Sequence, residues 1–147
     1  MIKLNKLPKN VLEKFPELVK LLKNDKTIVA FYTFGSAVTV NLKPLSDLDF
    51  AVLLSKKLNK HEIFEKHLDL IGTIEDALKT EEFDLVILNT APLRFAYNIL
   101  KTGRLEFCKN KNVLIDFTEK TNKFYLDFKY FRDQFDETFL EKLGYVG

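Results

Sequence analysis

TIVAFYTF-GS-AVTVNLKPLS-DLDFAVLL, residues 27–54, contains two apolar runs joined by about a dozen residues. The first run is rich in β-branched and aromatic residues and reads as a buried strand ending at Gly35-Ser36. The second opens on Asp47 and reads as a strand to Leu54. Side chains alternate along a strand, so Asp47, Asp49, Ala51 and Leu53 share one face. Leu48, Phe50, Val52 and Leu54 form the other, wholly apolar face. The connection, with Pro44 in it, has room for a loop or a short helix.

Beyond this pair, Asn59 followed by Glu62 predicts a capping box at the head of a helix over about 60–80. Its expected apolar stripe is Ile63 or Phe64, His67 or Leu68, Ile71, Ile74 and Leu78. FDLVILN, residues 83–89, predicts a third strand. A helix over 92–101, closed by Gly103 as the residue after its C-cap, and a short strand over 104–108 follow. Residues from about 113 to 143 read as mostly helical, and a first helix over 10–23 precedes the strands with Pro16 in or near its first turns. This order predicts one α/β (α+β) domain over 1–147, a small mixed sheet with flanking helices. The unit bearing the acidic residues spans about 27–108.

Composition narrows the function. A 46% hydrophobic content over 147 residues suffices for one core, and a net charge of +2 with lysines spread along the chain does not suggest a nucleic-acid binder. Cys108 is the only cysteine and reads as a small core residue in a reducing cytoplasm. Neither a secretory leader nor a membrane span is expected.

The chemistry lies in the acidic strand heads. Asp47 and Asp49 project together, and like charges this close need neutralising. An oxygen-binding cation, above all Mg²⁺ completed by phosphate oxygens, is the natural partner. Asp84 has the same placement at the head of FDLVILN. Were its strand to neighbour that of Asp49, three carboxylates would meet at one sheet edge, a set suited to two-metal phosphoryl transfer. Gly35 permits a sharp turn and close approach of a ligand to the backbone, and Ser36 could offer its hydroxyl and N–H to an anion.

Gly-Ser, ten residues, D-x-D, and a later acidic strand head resemble the polymerase-β nucleotidyltransferase superfamily. With the tract LNTAPLRFAYNILKTGRLEF, residues 88–107, the chain is similar to one branch of it: the minimal nucleotidyltransferase antitoxins of HEPN/MNT toxin–antitoxin pairs. The resemblance implies that Gly35 and Ser36 hold the triphosphate of ATP and that Asp47, Asp49 and Asp84 bind Mg²⁺, with Asp84 also assisting the attacking hydroxyl. It further implies transfer of AMP to a tyrosine of a partner HEPN ribonuclease toxin, in the cytoplasm. One departure stands out. The family turn continues x-Ala-Arg-Gly after Gly-Ser, whereas this chain has Ala37-Val38-Thr39-Val40. Lys43 is a candidate substitute, and a binding antitoxin without activity is the corresponding alternative.

After the strand unit only about 40–50 residues remain, which leaves little room for a cleft around a large acceptor and favours an acceptor that is itself a protein. A small-molecule (antibiotic) nucleotidyltransferase, with a cleft formed between two copies, is the other enzyme alternative. Phe117, Thr121, Phe124, Phe128, Phe131 and Phe135 follow 4-3-4-3-4 spacing, one continuous helical stripe. It is expected to pack on the domain's own sheet, or in its C-terminal half to dock the toxin or a second copy. Arg94, Lys101 and Arg104 are candidates for phosphate contact, and Asn89 either touches nucleotide or ends its strand. His61 and His67 lack metal-ligand spacing.

Overall fold

The computed structural model describes residues 11–35 and 48–142. The expected connection after Gly35, with Ser36, Lys43 and Asp47, lies outside the described residues. The order is α1 (Val11–Lys23), β1 (Ile28–Phe34), β2 (Leu48–Leu54), α2 (Lys60–Leu78), β3 (Phe83–Ile87), a 3-10 turn (Leu88–Thr90), α3 (Leu93–Thr102), β4 (Arg104–Cys108) and α4 (Lys111–Lys142). The sheet order is β3-β2-β1-β4. β1 pairs antiparallel with β2 and with β4, whereas β2 and β3 are parallel, joined by the α2 crossover. The mixed sheet predicted from sequence is present, with helices on both faces.

Alternation along the strands sends two sets of side chains into two cores. Ile28, Phe31, Phe50, Val52 and Leu85 meet α1 and α2 through Leu18, Leu22, Leu70, Ile74 and Leu78. Phe15, Phe31, Phe50, Phe83 and Phe107 form a connected set of rings there, with centroids 5.6–6.2 Å apart. On the opposite face Tyr32, Ala51, Leu53 and Leu88 pack with Ala96 and Ile99 of α3, and Val113, Leu114 and Phe117 of α4 close that layer. Cys108 packs against this second core, partly buried, as a small side chain should.

Several local expectations hold and others shift. The Asn59 side chain accepts from the Glu62 N–H at 2.8 Å and the Glu62 carboxylate accepts from the Asn59 N–H at 3.1 Å, so α2 opens on the predicted capping box. Its buried face is Ile63, Leu70, Ile74 and Leu78, while Phe64 and Leu68 are exposed. Of the alternatives in the predicted stripe, Ile63 is taken over Phe64 and His67 over Leu68, the His67 ring facing the sheet with its Nε2 2.9 Å from the Leu85 carbonyl. Pro16 lies inside α1, not at its start. The third strand stops at Ile87, because Asn89 turns back. Its Oδ1 accepts from the Leu54 N–H at 2.8 Å and its Nδ2 donates to the Leu54 carbonyl at 2.9 Å. Asn89 thus mimics a strand partner for the end of β2.

Gly103 does follow α3, but not in the left-handed conformation common after helices: its φ is −71°. Close approach explains the glycine instead. A Cβ there would lie 2.5 Å from the Ile99 carbonyl oxygen and 3.4 Å from that of Thr33.

Candidate active site

β2 and β3 run parallel with Asp49 and Asp84 as register partners. Directly paired residues on neighbouring strands point to the same face, about 4.8 Å apart at Cα. The strand of Asp84 therefore does neighbour that of Asp49, the adjacency on which the sequence reading of a shared acidic edge depends. Both residues lie near the heads of their strands, Asp49 partly buried and Asp84 exposed. They share the face of Ala51, Leu53 and Val86, the side covered by α3 and α4.

On the other flank of Asp49 stands Phe34, its register partner on β1, followed at once by Gly35. Gly35 has φ +64°, a left-handed conformation that glycine adopts without a steric penalty. A Cβ built at Gly35 would lie 2.3 Å from Asp49 Oδ2 and 3.3 Å from its Cγ. The absent side chain is thus the space that the Asp49 carboxylate occupies. Across one end of the sheet run Asp84, Asp49 and Gly35, from three strands adjacent in space and distant in sequence.

The donor set suits a hard divalent cation. It offers carboxylate oxygens alone, two like charges one strand spacing apart. Among the described residues there is no group of three His, Cys, Asp or Glu side chains around a common point, and the third expected donor, Asp47, lies outside them.

The remaining candidates fall elsewhere. Arg104 pairs with Thr33, itself the partner of Phe50, so it belongs to the face opposite Asp49. There its Nε sits 3.3 Å from the Glu106 carboxylate, which also accepts from the Thr33 hydroxyl at 2.9 Å. Lys101 lies over the Tyr97 ring, 5.7 Å from its centroid. Asn89 caps the far end of β2, about 16 Å of strand away from Asp49. His61 contacts Glu65 on the surface.

A family profile described as polymerase beta, nucleotidyltransferase, matches residues 16–112, about two thirds of the chain. The chain belongs to the polymerase-β nucleotidyltransferase family. The match includes β1 to β4 and the whole acidic edge. No curated protein matches the chain significantly. Solved structures do. A toxin–antitoxin structure with AMP-PNP superposes with a TM-score of 0.63 at 22% identity, covering 87% of this chain and 97% of that one. A tri-AMPylated Shewanella oneidensis HEPN toxin in complex with MNT antitoxin gives 0.62 at 21%, covering 88% and 98%. A toxin–antitoxin described as MntA-HepT gives 0.59 at 20%, covering 90% and 99%. At this identity these similarities speak for the fold. The nucleotidyltransferase fold here is nearly coextensive with each of those chains.

Proposed function

We propose that this family member is an antitoxin that transfers AMP from ATP to a hydroxyl, taken to be a tyrosine, of a partner HEPN ribonuclease toxin. The observation that carries the reading is the in-register pair Asp49 and Asp84, with Gly35 fitted against the Asp49 carboxylate. Family membership supports nucleotidyl transfer, and the AMP-PNP and AMPylated-toxin structures of the same fold support the nucleotide and the acceptor class.

In this reading Asp47, Asp49 and Asp84 hold Mg²⁺. When bound, the metal neutralises phosphate charge and makes the attacking oxygen a better nucleophile. The acceptor oxygen attacks the α-phosphorus in line, the bond to the pyrophosphate oxygen breaks, and the hydroxyl proton passes to Asp84. The exposure of Asp84 suits that role, since an acceptor side chain must reach it from solvent. Asp49, partly buried and fixed by the strands on both sides, suits a positioning ligand. Gly35 and Ser36 cradle the triphosphate, the bare α-carbon of Gly35 leaving room for the Asp49 carboxylate beside it.

The altered segment Ala37–Val40 favours a second reading, in which the chain neutralises its partner by contact alone. One experiment separates the two. The chain is incubated with its toxin, labelled ATP and Mg²⁺, and the toxin's label and ribonuclease activity are followed. Transfer predicts label on the toxin, abolished by Asp49→Asn or Asp84→Asn with the melting curve unchanged in kind. Neutralisation without label would leave only the contact reading.

A further inference from the structure

α2 sets one polar side chain in an apolar stripe. Its buried residues are Ile63, Leu70, Ile74 and Leu78, and steps of four and three from Ile63 to Leu70 pass through position 67 on the same face. That position holds His67, partly buried. A leucine would fill the place without taking a polar atom out of water. The histidine instead brings its Nε2 to 2.9 Å from the Leu85 carbonyl oxygen, 18 residues along the chain. A carbonyl oxygen only accepts, so Nε2 carries the proton between them.

The place of that carbonyl gives the bond its interest. Leu85 directly follows Asp84, the exposed member of the pair with Asp49. Asp49 stands on a strand with a neighbour on each side. Asp84 stands on an edge strand, paired with β2 alone among the described residues. The ladder to β2 sets the interval between the two strands, but an edge strand bonded on one side opens and tilts most readily. Two groups restrain the residue beside Asp84: the Leu85 side chain, buried in the first core, and His67 on the Leu85 carbonyl. Both act from the α1 and α2 side of the sheet, whereas Asp84 belongs to the face of Val86, covered by α3 and α4. His67 therefore acts on Asp84 through the backbone.

We propose that His67 is a positioning residue for Asp84: by tying β3 to α2 it holds the Asp84 carboxylate in the orientation that receives the acceptor's proton. The assignment rests on the transfer reading given above for Asp84. Its physical basis is the narrow geometry that a reacting group must keep, since a small displacement at the centre costs rate steeply. A donor on α2 supplies that restraint without entering the acidic edge, where a bulky or charged neighbour would compete with metal and acceptor.

Two substitutions test it. His67→Leu removes the donor and keeps the stripe apolar, while His67→Gln places an amide N–H at similar reach. Single-turnover transfer of labelled AMP to the partner toxin is measured across ATP concentrations. His67→Leu should lose about 10- to 10²-fold in rate at saturating ATP, with the half-saturating ATP concentration unchanged, and His67→Gln should recover most of the loss. Two readouts on the chain alone need no activity. Long-range ¹H–¹⁵N correlation of the His67 ring should show Nε2 protonated. Amide exchange at residues 84–87 should be faster in His67→Leu than in the parent and in His67→Gln, with β1 unchanged. Parental transfer by His67→Leu would overturn the proposal, as would an unprotonated Nε2 or a loss that His67→Gln does not recover. A parent that transfers no label would instead sink the transfer reading, and with it the role of Asp84, while exchange at 84–87 still decides whether His67 holds β3.

Discussion

Gly35→Ala is the sharpest probe of the acidic edge, because one methyl group acts through two separable terms. The first is conformational. At φ +64° an L-residue with a Cβ costs about 1–2 kcal/mol. For a chain of this size that corresponds to a melting temperature lower by about 3–8 °C. The second is local. The methyl would stand 2.3 Å from Asp49 Oδ2, so the carboxylate must retreat by about 1 Å to restore ordinary contact. A displacement of that size at a reacting centre costs about 10²-fold in rate. Gly35→Asn separates the terms, since asparagine tolerates the left-handed region better but still carries the Cβ. The assay is single-turnover transfer of labelled AMP to the partner, normalised to folded protein, beside thermal melts of all three proteins. Both variants should lose about 10²-fold in transfer, while the Asn variant recovers part of the stability. A Gly35→Ala protein with wild-type transfer and a lowered melting temperature would refute the claim that residue 35 positions the Asp49 carboxylate.

Asn89→Ala removes both hydrogen bonds to the buried Leu54 backbone and should cost about 1–3 kcal/mol in chemical denaturation, with transfer per folded molecule unchanged. The glycines should divide. Gly72, in α2 with open space around its α-carbon, should accept alanine with a gain of about 0.5–1 kcal/mol, whereas Gly103→Ala should lose about 1–3 kcal/mol against the Ile99 carbonyl, both read by thermal melts. Burial pushes the Asp25 carboxyl up, but hydrogen bonds from Lys66 and from the Thr27 hydroxyl and N–H, with the charge of Lys66, hold it below its ordinary value. Its stabilising contribution is therefore complete above the unfolded pKa, about 3.9, and fades as pH falls through the lowered folded value. Lys66→Met should accordingly be less stable than the parent at neutral pH, with the difference narrowing below about pH 4 in denaturation curves.

The strands and the α2 capping box were readable because each rests on neighbours in sequence: alternation in residues 47–54, a run of β-branched and aromatic residues in 27–34, and Asn59 three residues before Glu62. What was not readable depends on distant chain. Nothing local states that β3 lies parallel beside β2, so the partnership of Asp49 and Asp84 could be posed but not decided. The orientation of α2 stayed open between Ile63 and Phe64, and between His67 and Leu68, for a related reason. Phe64 and Leu68 are as apolar as Leu70, and only packing on the sheet distinguishes the buried stripe Ile63, Leu70, Ile74 and Leu78 from them. Gly103 was placed correctly for the wrong cause, since a Cβ there would meet the Ile99 carbonyl of its own helix and the Thr33 carbonyl that tertiary packing brings close. Asn89, a common strand-ending residue, gave no sign that it would complete a strand 35 residues earlier.

The spacing between Asp49 and Asp84 is set by the hydrogen-bond ladder of the sheet, not by side-chain packing. It behaves like a ruler with a fixed graduation. α2 can gain or lose a turn, and the surface of β3 can drift, without altering the interval between the two oxygen donors. Under the proposed reading, such a chain can diversify almost everything that an acceptor touches while the spacing of its two metal-holding carboxylates stays constant.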